Sequence, residues 1–369
     1  KKISFVENKY NDIAQVHFLY NMGNDHDKEL GLTLDVLQFL GTDTLLPHQL
    51  KEEFYKIGVS FDFTVNAEIL RISLSGLEVN LKQGLVLLKD WLKHVQPDQE
   101  IYENTVQLIL DSREVGKKDK GRIMTALTHF AKFGNNSRFR DVISEERLNE
   151  IRAEELTKKV NKLTQLPYEI FFYGKDFESF LQTVYHYVEE TSLEIPEARV
   201  FPEPETASKV YFTDYDMVQV EMGKIGRANE INLVDFGKIN VFNEYFGRGL
   251  SSIVFQELRE SRSLAYSAYV NYATADKLGK YNYVSTYIGT QANKLGQAIE
   301  AMDGLMVEMP QISIQFENAK QSALKKIASS RITRTNIFFN YLNIKKLNID
   351  YDVREKVYQE IQTLTLEEL

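Results

Sequence analysis

Two side chains seven residues apart, Arg259 and Tyr266, carry the sharpest chemical signal in this sequence. They lie in the run Phe246-Gly-Arg-Gly-Leu-Ser-Ser-Ile-Val-Phe255-Gln-Glu-Leu-Arg259-Glu-Ser-Arg262-Ser-Leu-Ala-Tyr266. Val254, Phe255 and Leu258 supply the apolar stripe of a helix expected over Leu250–Ser261. Arg259 then falls on its last turns, and Tyr266 begins the strand that follows. A helix end and a strand start joined by so few residues make a tight corner. A guanidinium offers a planar fork that suits a peptide carbonyl or carboxylate. A phenol hydroxyl can donate to a developing oxyanion. Taken one at a time, the same residues also read as a solvated helix face and a packed strand. Gly247 and Gly249 make a Gly-rich turn ahead of the helix. As a phosphate signal it is weak, and a flexible lead-in to the helix explains it as well.

Other chemistries are thinly represented. The 369 residues contain no cysteine, which excludes disulfides, thiolate metal sites and a cysteine nucleophile. The six histidines, His17, His26, His48, His94, His129 and His186, are all more than five residues apart. A zinc pair on one helix face needs i,i+4 spacing, and there is neither HxxEH nor its reverse. His17 and His186, flanked by aromatic residues, fit sheet-face or partly buried positions. There is no GxSxG elbow and no Walker loop. Lys117–Arg122 is a charge run of the kind that usually ends a solvated helix. A net charge of −9 argues against a protein built to hold nucleic acid or anionic lipid. No apolar run is long enough to span a membrane.

The elements that would position Arg259 and Tyr266 recur twice. Ala14, Val16, Phe18 and Tyr20 alternate as a strand; Leu30, Leu34 and Leu37 follow at helical spacing; Leu50, Phe54 and Ile57 mark a short second helix. Val59–Val65 and Leu70–Leu74 alternate as a hairpin, helices cover roughly 80–94 and 99–113, and Tyr168–Tyr173 is a closing strand. Pro196, Pro202 and Pro204, interleaved with glutamates, mark an exposed, semi-rigid linker. The expected domains are therefore 1–195 and 207–369, with 196–206 between them. Asp12–His17 parallels Asp216–Glu221, Gln49–Glu52 parallels Glu257–Glu260, and Tyr102–Leu110 parallels Phe316–Leu324. Three matches in order indicate an internal duplication. Strands in succession and then helices in succession give α+β: two homologous domains, each an antiparallel-rich sheet with helices on one face. Ala153-Glu-Glu-Leu156 and the final Leu366-Glu-Glu-Leu369 are also alike. On that analogy the second copy is expected to lack a last helix and strand. Thr365 and Glu368 form a capping box there.

Gly249-Leu-Ser-Ser-Ile-Val-Phe255-Gln-Glu-Leu-Arg259-Glu-Ser-Arg262-Ser-Leu-Ala-Tyr266 resembles the second signature of the pitrilysin/insulinase (M16) zinc peptidases. That signature typically runs from a Gly-rich turn through SS-x-x-F-x-x-[LIV]-R-E-x-R-G-L-A-Y. The resemblance spans the chain and is nearest to the C-terminal half of long Bacteroidetes-type members, through Leu40-Gly-Thr42, Glu53-Phe-Tyr-Lys56 and Leu74-Ser-Gly-Leu77. It implies an α/β roll present in duplicate and a clamshell closed by two such halves. The family's zinc motif lies on the helix after the first strand of the other half. Here Leu34, Leu37 and Gln38 stand in its place, so the resemblance implies no metal in this chain and zinc in a partner half, on the same or a separate chain. It implies that Arg259 orients the substrate and that Tyr266 stabilises the oxyanion in trans, with Gly247 and Gly249 beside them in substrate binding. Ser261 stands where a Lys is common and Ser263 where Gly is usual, which bears on the aim of Tyr266. The substrate implied is a peptide or unfolded segment. Alone, this chain is expected to be inactive. The alternative is a non-catalytic scaffold or peptide-binding subunit of the same fold. Long bacterial members often carry an export signal, which makes a periplasmic site the implied location.

Overall fold

The computed structural model describes residues 2–188, 190–205 and 208–369. It divides into two compact units, 1–203 and 204–369. Thr206 and Ala207, the expected end of the linker and start of the second domain, lie outside the described residues, as do Lys1 and Glu189.

The first unit runs β1 (Ile3–Glu7), β2 (Ile13–Tyr20), α1 (Leu30–Leu37), α2 (Pro47–Lys56), β3 (Val59–Val65), β4 (Leu70–Leu77), α3 (Leu81–His94) and α4 (Gln99–Gly116). It continues with α5 (Lys120–Phe133), α6 (Glu145–Glu150), α7 (Ala153–Leu163), β5 (Glu169–Gly174) and α8 (Phe177–Tyr185). The sheet order is β1-β5-β2-β4-β3. All pairings are antiparallel except β1 with β5. Ala14, Val16, Ile72, Leu74, Ile170 and Phe172 point to one face and join the helices' Leu34, Leu85, Trp91 and Leu156 in a single core. The alternation legible in the sequence sets this: period-2 residues of one parity meet the apolar stripes of the helices. Trp91 is the anchor. Its indole donates to the Leu40 carbonyl at 3.1 Å, and the rings of Phe54, Phe61 and Phe63 pack around it. Burying one such ring contributes about 2–3 kcal/mol.

Of the expected linker 196–206, Pro196–Ala198, Val200 and Pro202 are exposed as the Pro–Glu spacing predicts, but Arg199 and Phe201 are tied to the first unit, as are Leu193 and Ile195 just ahead of it. Leu193 and Ile195 pack against the first unit's core. The Arg199 backbone N–H donates to the Asp25 carbonyl at 2.7 Å, and its guanidinium reaches the Asn24 carbonyl and the Asp141 carboxylate. Phe201 lies under the guanidiniums of both Arg138 and Arg199. Proline excludes helix but permits an extended strap, and alternate residues of that strap reach the unit's surface.

The second unit runs β6 (Gln219–Glu230), α9 (Phe236–Phe242), α10 (Ile253–Phe255), β7 (Ser267–Ala273), β8 (Tyr281–Gln291), α11 (Leu295–Val307), α12 (Ser313–Ser329), α13 (Asn336–Lys345) and α14 (Val353–Thr363). Its sheet order, β6-β8-β7, follows the β2-β4-β3 order of the first unit. Each hairpin leads through a 3-10 turn, Glu78–Asn80 or Ala292–Lys294, into a long helix. Tyr102 and Phe316 occupy the same turn of α4 and α12, and both are buried. Aligning the two 3-10 turns brings Gln219, paired with Gln291, onto Ile13, paired with Leu77. That is two residues from the sequence match of Gln219 with Gln15. The slip is even, so every side chain keeps its face.

Candidate functional site

The corner holding Arg259 and Tyr266 is built from two π-wound turns. After α9 the chain winds as a π-helix over Asn243–Gly247, and after α10 again over Gln256–Ser261. The helix expected from Leu250 starts at Ile253. Gly249, at φ +89°, turns the chain, and Leu250 and Ser251 belong to that turn. Ser252, fully buried, closes it: its hydroxyl donates to the Gly249 carbonyl at 2.9 Å and accepts the Phe255 N–H at 3.3 Å. A Cβ on Gly247 would come within 2.1 Å of the Val270 carbonyl oxygen. Backbone geometry alone thus explains both glycines.

Leu258 pins the corner from inside. Its side chain is fully buried, and its carbonyl accepts the N–H of both Leu264 and Ala265, at 2.8 and 3.2 Å. Arg262 N–H bonds the Glu257 carbonyl, as π-winding requires, and Ser263 N–H bonds Arg259. Ser263 sits at φ +50°, the left-handed region that favours glycine. The residue that departs from the signature therefore keeps a glycine-type backbone. Lys294 Nζ holds the Ser263 carbonyl at 3.0 Å, and the Thr290 hydroxyl holds that of Leu264.

Tyr266 leaves this corner with its N–H on the Gly289 carbonyl at 2.8 Å, and its side chain is 49% exposed. Its hydroxyl oxygen accepts the Gln291 side-chain amide at 2.7 Å. Arg259, 47% exposed, lies over the Phe255 ring at 4.9 Å, with its Nε 3.6 Å from the Glu260 carboxylate. Among the described residues no hydrogen bond joins Arg259 to Tyr266. Each is held by its own neighbour at either end of the same corner.

The helix where the zinc motif would lie offers no ligands. Leu34 and Leu37 are buried in the first unit's core, and the Gln38 amide folds back toward the Leu34 carbonyl. Hydrocarbon and a primary amide do not fit zinc, which takes imidazole, thiolate or carboxylate. Among the described residues no group of three or more His, Asp or Glu could hold a metal ion, and no helix is long and apolar enough to cross a membrane. His17 lies on β2, is 6% exposed, bonds the Ser73 hydroxyl at 2.7 Å and stacks on Phe171. Burial, with a smaller push from the Arg71 charge, lowers its pKa to about 4. His186, by contrast, is exposed and caps the C-terminus of α8 rather than lying on a sheet face. Nothing in the local sequence marks Gln291. Its approach to Tyr266 follows from the β7–β8 pairing and not from any local motif.

Residues 153–312 match the family described as "Peptidase M16 inactive domain". The curated "Uncharacterized zinc protease YmxG" of Bacillus subtilis is 23% identical over 300 residues, covering 78% of this chain and 71% of that protein. The peptidase M16 inactive domain from Pseudomonas fluorescens has the same fold, with a TM-score of 0.72 at 15% identity, over 99% of this chain and 90% of that one. The periplasmic protease PqqL from Escherichia coli gives 0.75 at 14% identity over 97% of this chain, which spans 41% of PqqL. The stretch 153–312, which contains Arg259 and Tyr266, thus matches the M16 inactive-domain family, and the chain over nearly its whole length shares its fold with proteins of that kind.

Proposed function

We propose that this chain is the non-zinc half of an M16-type metalloendopeptidase, closing a chamber over peptide substrates held near the zinc of a partner half. The observation that carries this reading is the state of Tyr266. Its hydroxyl oxygen accepts from Gln291, so its own hydrogen remains to be donated outward. A half-exposed phenol with a fixed oxygen and an available proton suits an oxyanion arriving from outside the chain. Arg259 supports the reading by its exposure and by the ring beneath it, which holds the guanidinium plane ready for a peptide carbonyl or carboxylate. Gly247 and Gly249 shape the turn that leads to them. The partner's zinc would supply the Lewis acid and the activated water. This chain contributes orientation, charge stabilisation and exclusion of water. We also take the two units as copies of one domain, with 1–195 and 207–369 as their approximate extents.

Mixing this chain with an M16 half bearing HxxEH, encoded upstream or beside it, tests the proposal. Each alone should leave an unstructured peptide intact or nearly so, and the mixture should cleave it. Equal activity of the zinc half with and without this chain would overturn it. The Arg259–Glu260 approach at 3.6 Å favours a second reading, in which the guanidinium is internally neutralised and the chain serves as a peptide-binding scaffold. In that case the mixture would bind peptide without Tyr266 affecting turnover.

A further inference from the structure

A cavity of about 400 Å³ opens in the first unit, and every residue that lines it belongs to that unit. This is the size of a small-molecule site, ~300–1,000 Å³. Its floor is hydrocarbon. Leu32 of α1 and Leu148 of α6 are core residues, and Ile109 of α4 and Ile143 pack against that core. One helical turn from Leu32 stands Asp35, and one turn from Ile109 stands Arg113. α1 packs on α4, so the two charged residues reach one cavity from two helices.

The charges around the cavity are matched except at these two positions. Arg138 holds Asp25 through both carboxylate oxygens, at 3.2 and 2.6 Å. Lys28 and Arg199 share the Asp141 carboxylate. Arg113 is half-buried and gives one N–H to the Ile143 carbonyl at 2.8 Å. Among the described residues no carboxylate lies within ion-pair distance of it, and its guanidinium keeps further donors for a planar acceptor. Asp35 is the one exposed residue of α1. Among the described residues it has neither a hydrogen bond nor an ion pair. Partial burial raises its pKa above the ordinary aspartate value. A bare anion here would meet Arg113 but also the uncompensated Asp35, and a bare cation would meet the reverse. A molecule carrying both charges satisfies both residues.

We propose that the cavity binds a small zwitterion with an apolar body, an amino acid or a short peptide. Arg113 takes its carboxylate through the guanidinium fork, Asp35 takes its ammonium, and Leu32, Ile109 and Ile143 take the hydrocarbon between them. Residues inside a long chain carry neither charge, so the site selects free molecules and released fragments over intact chains. The claim concerns binding by the first unit and is independent of the peptidase reading.

Isothermal titration calorimetry on this chain tests it. The probes are free leucine and the dipeptide leucyl-leucine, with N-acetyl and amide forms of each to remove one charge at a time. At least one unblocked probe should bind, and its blocked forms should be weaker by about tenfold or more, the size of one charged hydrogen bond. Tighter binding of leucine assigns an amino acid, and tighter binding of leucyl-leucine assigns a short peptide. Asp35→Asn should bring the N-acetyl form level with the unblocked probe. Arg113→Gln should do the same for the amide form, and neither variant should close the other gap. Circular dichroism checks that both variants are folded; where one is not, the wild-type ratios decide. Three results would each overturn the proposal: neither probe binding with a Kd below about 1 mM, blocked forms binding as well as unblocked ones, or folded variants keeping both gaps.

Discussion

The Gln291 side-chain amide donates to the Tyr266 hydroxyl across 2.7 Å, tying the last residue of β8 to the residue just before β7. A phenol has one hydrogen and two lone pairs, and the amide occupies a lone pair. The bond fixes where the oxygen sits and leaves the proton directed elsewhere. Tyr266→Phe in the reconstituted complex should therefore lower kcat about 10²–10³-fold with a much smaller change in KM. Gln291→Leu leaves the hydroxyl in place but unaligned, and should cost less, about tenfold. Thermal melts of both variants should match wild type closely, because neither change leaves a buried group unpaired. A Tyr266→Phe complex with wild-type kcat would remove the oxyanion role.

Arg259 should behave differently. It would contact the peptide before and during reaction, so Arg259→Ala should raise KM and lower kcat together. Arg259→Lys should restore little, since an ammonium cannot reproduce a planar fork lying on the Phe255 ring. Full rescue by Lys, in kinetics on the same peptide, would reduce its role to plain charge.

Much of this site is legible in the sequence. Val254 and Leu258 declared the buried stripe of a helix, and Tyr281–Ile288 declared a strand by alternation, because both patterns are local. What escaped was non-local or finer than a pattern. β1 has only five residues, and its partner β5 lies far along the chain, so nothing near it in sequence marks the parallel pairing. The π-winding at Glu257–Arg262 differs from an α-turn by one residue, too little to show in the spacing of Val254 and Leu258. Arg199 looked like a linker residue because its acceptors, Asn24, Asp25 and Asp141, are scattered over the first unit.

Purified alone, the chain should carry no stoichiometric zinc. Leu34, Leu37 and Gln38 give the metal nothing to bind. Elemental analysis after dialysis against a little zinc is enough. About one zinc per chain that survives dialysis would require a ligand set outside this helix.

The two unusual backbone positions of the corner make opposite predictions. Ser263 holds φ +50° at the expense of contact between its Cβ and the backbone, so Ser263→Gly should stabilise by up to about 1 kcal/mol and leave activity intact. Gly247→Ala forces a methyl to within 2.1 Å of the Val270 carbonyl and should destabilise by more than about 2 kcal/mol. Urea melts of the two variants should move in opposite directions from wild type. A tolerated Gly247→Ala would mean that the π-turn can shift away from β7.

His17 sets a pH dependence that can be worked out in sign. Its folded pKa is about 4, below the 6.5 of an exposed histidine, with burial the main cause and Arg71 the second. Between those values the unfolded chain binds the proton and the folded chain does not. Stability must then rise with pH across that window and fall as pH drops from about 6.5 toward 4. One proton gives a slope of at most about 1.4 kcal/mol per pH unit, and the whole window is worth on the order of 2–3 kcal/mol. Above pH 6.5 the contribution is complete and the histidine adds no further slope. His17→Gln can still bond the Ser73 hydroxyl but cannot titrate. It should flatten the stability profile between pH 4 and 6.5 while changing little at pH 7.5. Urea melts of both proteins across that range read the effect directly. Parallel profiles would mean that His17 becomes protonated in the folded sheet, and that Phe171 and Ser73 admit the charge.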